Sequence, residues 1–162
     1  LKHFIALNNQ VFDRFSKEDR QKLGVHVCSG GDHDSTHSAD IGYADFLPEL
    51  FNLHVGNFYL QLTSEPDRVK VLKVIKQYLK PDQTVFVGVI DVLDPVIETK
   101  EMVRDRVLEA AEYIPLAQLG TTDDCGFSPF CDDVSTKRET AFAKIKARVD
   151  GTKLAEEKLY NL

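Results

Sequence analysis

Apolar residues along this chain switch between two spacings. From 1 to about 15, Phe4, Ile5, Leu7, Val11, Phe12 and Phe15 recur at the three- and four-residue intervals that gather on one face of a helix. The charged connection Ser16-Lys17-Glu18-Asp19-Arg20 leads through a second helical turn into Val25-His26-Val27-Cys28, a short strand that runs into Gly30-Gly31. Tyr43, Phe46, Leu47, Leu50 and Phe51 return to the helical period, with Pro48 expected to shorten or kink that helix. Residues 57 to 63 predict a second strand, aromatic and apolar except for one interior polar residue, Gln61. Pro66 suits the first turn of the next helix, which is carried by Val69, Leu72, Val74, Ile75 and Leu79 and stops at Pro81.

Val85-Phe86-Val87-Gly88-Val89-Ile90 is nearly all apolar, as expected of a strand covered on both faces in a parallel sheet. Thr99 is placed to cap a helix whose buried stripe is Met102, Val103, Val107, Leu108, Ala111 and Ile114. A short fourth strand is predicted at 116 to 120, then a polar loop with Asp123, Asp124, Cys125 and Gly126, and helices over about 136 to 149 and 154 to 159. A leading helix is thus followed by strand–helix repeats, the pattern of parallel βαβ units with right-handed crossovers. Such repeats build either a small open α/β sheet or half of an eight-fold β/α barrel. His26 and Cys28, Gln61, Asp91 and Cys125 all fall at or just beyond the C-terminal ends of successive predicted strands. That is the face on which barrels carry their sites, so the expectation is a partial (β/α)8 barrel, one domain over residues 1–162. The opening on Leu1, already inside a helical pattern, reads as a fragment.

Composition narrows the function without choosing it. A formal charge of -6 argues against nucleic acid or an anionic membrane as the main partner, since either selects a basic face. No stretch has the length and apolarity of a membrane span, and no secretory leader precedes the first helical pattern. The 3 Cys residues are widely spaced and cannot all pair, so reduced thiols in a cytoplasmic protein are expected.

Side chains two apart on a strand share a face, so His26 and Cys28 project together. An imidazole nitrogen beside a thiolate sulfur is half of a tetrahedral zinc site, and Cys125 in its glycine-ended loop is the best candidate for the distant ligand. Taken alone, the pair also fits an inert core cysteine beside a hydrogen-bonded core histidine. The polar loop 30 to 38 adds His33 and His37, either as part of a solvated connection or as a substrate-facing rim. Asp123, Asp124, Asp132 and Asp133 fit a solvated acidic loop better than a hard-cation site, because calcium-loop spacing is absent.

With His26-x-Cys28 and Asp124-Cys125-Gly126 both in place, and Ala110-Ala111-Glu112-Tyr113-Ile114-Pro115-Leu116 ahead of the second, the chain resembles the C-terminal catalytic barrel of the cobalamin-independent methionine synthases and their shorter relatives. The resemblance runs from the helix before His26 to about Asp133. It implies the C-terminal half of a (β/α)8 barrel with zinc on His26, Cys28 and Cys125. It also implies a homocysteine-like thiol acceptor, a methyl-folate-like donor and a transferase of methionine biosynthesis, the remainder of the barrel lying outside this sequence.

Two positions depart from the family. Where the methionine synthases supply a Glu ligand after the second strand, this chain has Gln61, a weaker oxygen ligand or none. Where they carry a His that protonates the leaving folate, it has Leu93, which cannot donate a proton, while Asp91 and Pro95 keep their places. Asp91, His33 and His37 are the remaining candidates for proton delivery. Epoxide-opening coenzyme M transferases share the His-x-Cys and distant Cys pattern and form the nearest alternative. A fourth strong ligand closing the site would favour a barrel fragment that binds zinc without chemistry, and Cys131, read as structural, is the other thiol. A cofactor-free decarboxylase barrel is disfavoured by the paired zinc motifs.

Overall fold

The computed structural model describes residues 1–28, 43–128 and 134–161. Helices α1 (Lys2–Phe12) and α2 (Lys17–Arg20) precede strand β1 (Gly24–Val27). Then α3 (Tyr43–Leu50), β2 (Asn57–Leu60), α4 (Arg68–Tyr78), β3 (Thr84–Ile90), α5 (Lys100–Ala111), β4 (Leu119–Asp123) and α6 (Arg138–Leu159) alternate to the end. The strands form one 4-stranded parallel sheet in the order β1-β2-β3-β4. Sequential order with every strand parallel is the arrangement of consecutive units of a (β/α)8 barrel, in line with the sequence.

Register divides the side chains into two layers. Val25, Phe58 and Val85 pair across the sheet with Leu119, and Phe58 and Val85 are fully buried under the helices. Leu60, Val87, Leu72, Ile75, Val103 and Val107 extend this core. The opposite row runs His26, Tyr59, Phe86 and Gly120. There the Tyr59 and Phe86 rings stack with centroids 4.5 Å apart, and Phe86 fills the space that a Cβ at Gly120 would occupy. This row corresponds to a barrel's inward-facing layer and stays half-exposed.

Several boundaries move for identifiable reasons. The fourth strand begins at Leu119 instead of 116, because Leu116–Gln118 forms a tight helical turn after Pro115. Helix α4 starts beyond Pro66, with the Asp67 carboxylate accepting from the Lys70 amide at 2.9 Å. Thr99 caps α5 as expected, accepting from the Met102 amide, but Met102 itself is exposed. The two helices expected after 136 are one, because Gly151 serves packing and not termination. A Cβ there would lie 2.4 Å from Val103 Cβ, so α6 crosses α5 at this point. In α1 Ile5 is buried and Phe12 packs on the core, whereas Phe4, Leu7 and Val11 are exposed, and the helix ends at Phe12, short of the exposed Phe15.

The stripe of α6 that packs inward, Lys144, Ala147, Gly151 and Ala155, contains a lysine only 1% exposed. Its Nζ donates to the Asp91 carbonyl at 2.9 Å, the Val96 carbonyl at 2.6 Å and Glu98 Oε2 at 2.9 Å. Glu98 Oε1 in turn accepts from the Asp91 amide at 2.8 Å. The loop between β3 and α5 is therefore fastened to α6 through a buried ion pair. Lys144→Met leaves Glu98 Oε2 without its buried cation, with Arg106 Nη1 remaining 3.4 Å from Oε1, and is expected to destabilise the chain by about 3 kcal/mol. Lys146→Met, which breaks an exposed pair with Asp150, should cost at most about 1 kcal/mol. Urea denaturation of the two variants side by side checks the difference.

Candidate metal centre

β1 and β4 end on the same edge of the sheet. His26 sits on β1, exposed on the inward-facing layer, and Cys28 follows one step past the strand's end, half-buried. Cys125 lies two residues beyond β4, also half-buried. One ligand atom from each of the three falls within 4.8 Å of the others, and His26 Nε2 stands 3.3 Å from Cys125 Sγ across a sequence separation of 99. A nitrogen at about 2.1 Å and a sulfur at about 2.3 Å from one tetrahedral ion are separated by about 3.6 Å. The observed approach thus fits a shared metal, and one imidazole with two thiols is a donor set suited to zinc. Cys28 and Cys125 are thiols and form no disulfide.

Gln61 follows β2 directly, next to Cys28 by continuation of the Val27–Leu60 register, and is 6% exposed. Its backbone amide donates to the Tyr43 hydroxyl at 3.3 Å and its Nε2 to Glu65 Oε1 at 3.4 Å. Burial pushes the Tyr43 phenol far above its ordinary range, so it stays neutral and can accept. Burial also raises the Glu65 carboxyl, opposed by the Tyr43 backbone amide.

The two aspartates before Cys125 point opposite ways. Asp123 accepts from Arg148 Nε at 3.0 Å on the helical side, its carboxyl raised by burial against that pairing. Asp124 turns inward, 2% exposed. Its Oδ1 accepts from the amides of Leu62 at 3.0 Å and Thr63 at 2.9 Å, and its Oδ2 from the amide and hydroxyl of Ser64, both at 2.8 Å. Burial raises this carboxyl while those hydrogen bonds favour its charged form. Both carboxylates are thereby engaged by protein donors, in place of the solvated loop expected from the sequence.

Asp91 Oδ1 accepts from the amides of Leu93 at 2.9 Å and Asp94 at 3.4 Å, so that oxygen shapes its own turn. Leu93 lines a cleft of about 280 Å³ between this loop and the start of α6, together with Asp94, Ser135, Lys137 and Thr140. His33, His37, Cys131, Asp132 and Asp133 lie outside the described residues. Sequence reasoning missed the buried parts of Asp124, Tyr43 and Lys144. The one available signal for Asp124 was Gly88, a glycine inside an otherwise apolar strand, which marks a close approach.

A parallel α/β sheet carrying a nitrogen–sulfur triad at the C-terminal ends of its outer strands defines a barrel of the kind that builds its site on that face. The chain belongs to the family described as cobalamin-independent synthase, catalytic domain, whose model matches residues 21–153. It is 35% identical over 94 residues to a 2-hydroxypropyl-CoM lyase of Xanthobacter autotrophicus, covering 57% of this chain and 23% of the relative. It is 28% identical over 140 residues to a methionine synthase of Saccharolobus solfataricus, covering 85% of this chain and 36% of the relative. The chain therefore spans roughly a third or less of these relatives' lengths. Its fold matches that of a B12-independent methionine synthase from Shewanella sp. W3-18-1, solved in complex with selenomethionine. The TM-score is 0.67 at 23% identity, over 86% of this chain and 40% of that one.

Tyr43→Phe removes the acceptor of the buried Gln61 amide while keeping the ring. It is expected to destabilise the chain by about 1–3 kcal/mol, read from the shift in denaturation midpoint.

Proposed function

We propose that this chain is the C-terminal half of a zinc-dependent thiol alkyltransferase barrel of the methionine synthase type, with the metal held by His26, Cys28 and Cys125. The observation that carries the reading is the 3.3 Å approach of His26 and Cys125, brought together at the C-terminal ends of the two outer strands. Zinc bound by soft ligands with one position open supplies a Lewis acid that lowers the pKa of an incoming thiol, making the nucleophile for alkyl transfer available at neutral pH. Cys28 and Cys125 must be kept from oxidation to bind it, which suits a reducing, cytoplasmic setting, and they bind it as thiolates.

The rest of the barrel is proposed to cover what this half leaves open. The exposed apolar side chains of α1 and the half-exposed Tyr59–Phe86 stack support such a partner surface, as does the greater length of the relatives. Contacts to the amino-acid end of a homocysteine-like acceptor and to a methyl-folate-like donor are assigned to that missing half.

Gln61 stands at the family's fourth-ligand position and Leu93 at its proton-donor position. Gln61 presents an amide whose nitrogen is turned to Glu65, and Leu93 has no proton to give. Proton delivery to a leaving group then falls to Asp91, His33 or His37. A second reading, opening of an epoxide by a coenzyme M-type thiol, is favoured by the likeness to the 2-hydroxypropyl-CoM lyase. Assay of a full-length version with homocysteine against other thiols, with bound zinc measured in parallel, separates the two.

Cys28→Ser and Cys125→Ser are each expected to lose the zinc that the parent protein carries, measured by metal analysis after gel filtration, while Cys131→Ser retains it. The opposite pattern at Cys125 and Cys131 would show that the wrong thiol was assigned.

Loss of a general acid costs about 10²–10⁴-fold in rate. The full-length protein is therefore expected to bind zinc and a thiol yet transfer methyl from methyl-folate slowly, and the double substitution Gln61→Glu with Leu93→His to accelerate it. An unaltered protein as fast as a typical methionine synthase would refute this.

A further inference from the structure

We propose that Asp124 is a positioning residue for the metal centre, clamping the end of β4 to the loop after β2 so that Cys125 is held opposite His26 and Cys28. The inference rests on the zinc reading above and concerns what holds that site in shape.

The geometry is specific. Leu62, Thr63 and Ser64 present consecutive backbone amides, a concavity suited to an anion, and the Asp124 carboxylate fills it. The Ser64 hydroxyl adds a further donor at 2.8 Å. All these partners donate, so the site is built for a carboxylate. To reach across, the side chain must pass over β3, and it does so at Gly88, where an added Cβ would lie 1.8 Å from Asp124 Oδ1. The backbone on the β4 side is fixed as well, since the Asp124 amide donates to the Ile90 carbonyl at 3.0 Å. Cys125 is the next residue along, and Gln61 directly precedes the clamped loop. One buried carboxylate thus brackets the candidate site from both sides.

Partners behind metal ligands that fix their orientation typically contribute 10–100-fold to metal affinity. Asp124→Asn keeps the size of the side chain but puts an amide where an acceptor is needed. It is expected to weaken zinc binding by about 10–100-fold, measured on the full chain by competition with a chromophoric chelator. The sulfur-to-cobalt absorption of the Co²⁺-loaded protein should change with it, reporting ligand geometry without any activity assay. Gly88→Ala should do the same by displacing the carboxylate. Ser64→Ala, which removes a single hydrogen bond, should give a smaller loss in a protein that folds, and so guards against collapse of the stronger variants.

A purely structural role predicts lower stability of the metal-free variants with zinc affinity and cobalt spectrum unchanged. That result in Asp124→Asn, or in Ser64→Ala if Asp124→Asn does not fold, overturns the proposal alone. A parent protein that folds but takes up neither zinc nor cobalt overturns the metal reading and this inference with it.

Discussion

Because the strands run parallel in sequence order, every C-terminal end arrives at one edge of the sheet, and residues far apart in the chain meet there. The rest of the structure depends on that register. It sets Val25, Phe58, Val85 and Leu119 in one row beneath the helices and His26, Tyr59, Phe86 and Gly120 in the other. A slip of one residue in any strand would exchange the rows and send His26 into the helical layer. Burial of the first row is what prevents the slip, so the packing of the core is also what aims the candidate ligands.

Buried polar groups then do the finer positioning. Asp124 and the Lys144–Glu98 pair both tie a strand-end loop to an element that is not its sequence neighbour. Both oxygens of Asp124 and of Glu98 accept from protein donors, which is the condition under which burying a charge is tolerable. They act on opposite sides of β3. Lys144 and Glu98 hold the turn that carries Asp91 and Leu93, and Asp124 reaches the loop following Gln61. The face where chemistry is proposed is thus supported by buried charges engaged with the protein's own backbone and side chains.

The departures at Gln61 and Leu93 acquire a setting from this arrangement. Gln61 is held by Tyr43 and Glu65, so its amide belongs to a local network and is not simply a ligand position left vacant. Leu93 faces a cleft next to polar residues at the start of α6. Gln61 stands beside the candidate ligands and Leu93 on the loop after β3, while His26, Cys28 and Cys125 come together.

Cys125, 99 positions from His26, is joined to it through the family resemblance; the sequence by itself determined the order of elements, the parallel α/β class and the His26-x-Cys28 pair. Each of these follows from local period or from a short motif at a strand end, and such signals survive without knowledge of distant contacts. The tertiary structure decided what local pattern cannot carry. The sequence pattern predicts two helices over about 136–149 and 154–159, but Gly151 packs on α5 within a single helix, and nothing local in the sequence marks Lys144 as the buried partner of Glu98. Asp124 reads as part of an acidic loop until the amides of residues 62–64 are brought over β3 to meet it. In all three the fate of a residue depends on groups dozens of positions away, and only the closed packing of the sheet and its helices brings those groups into reach.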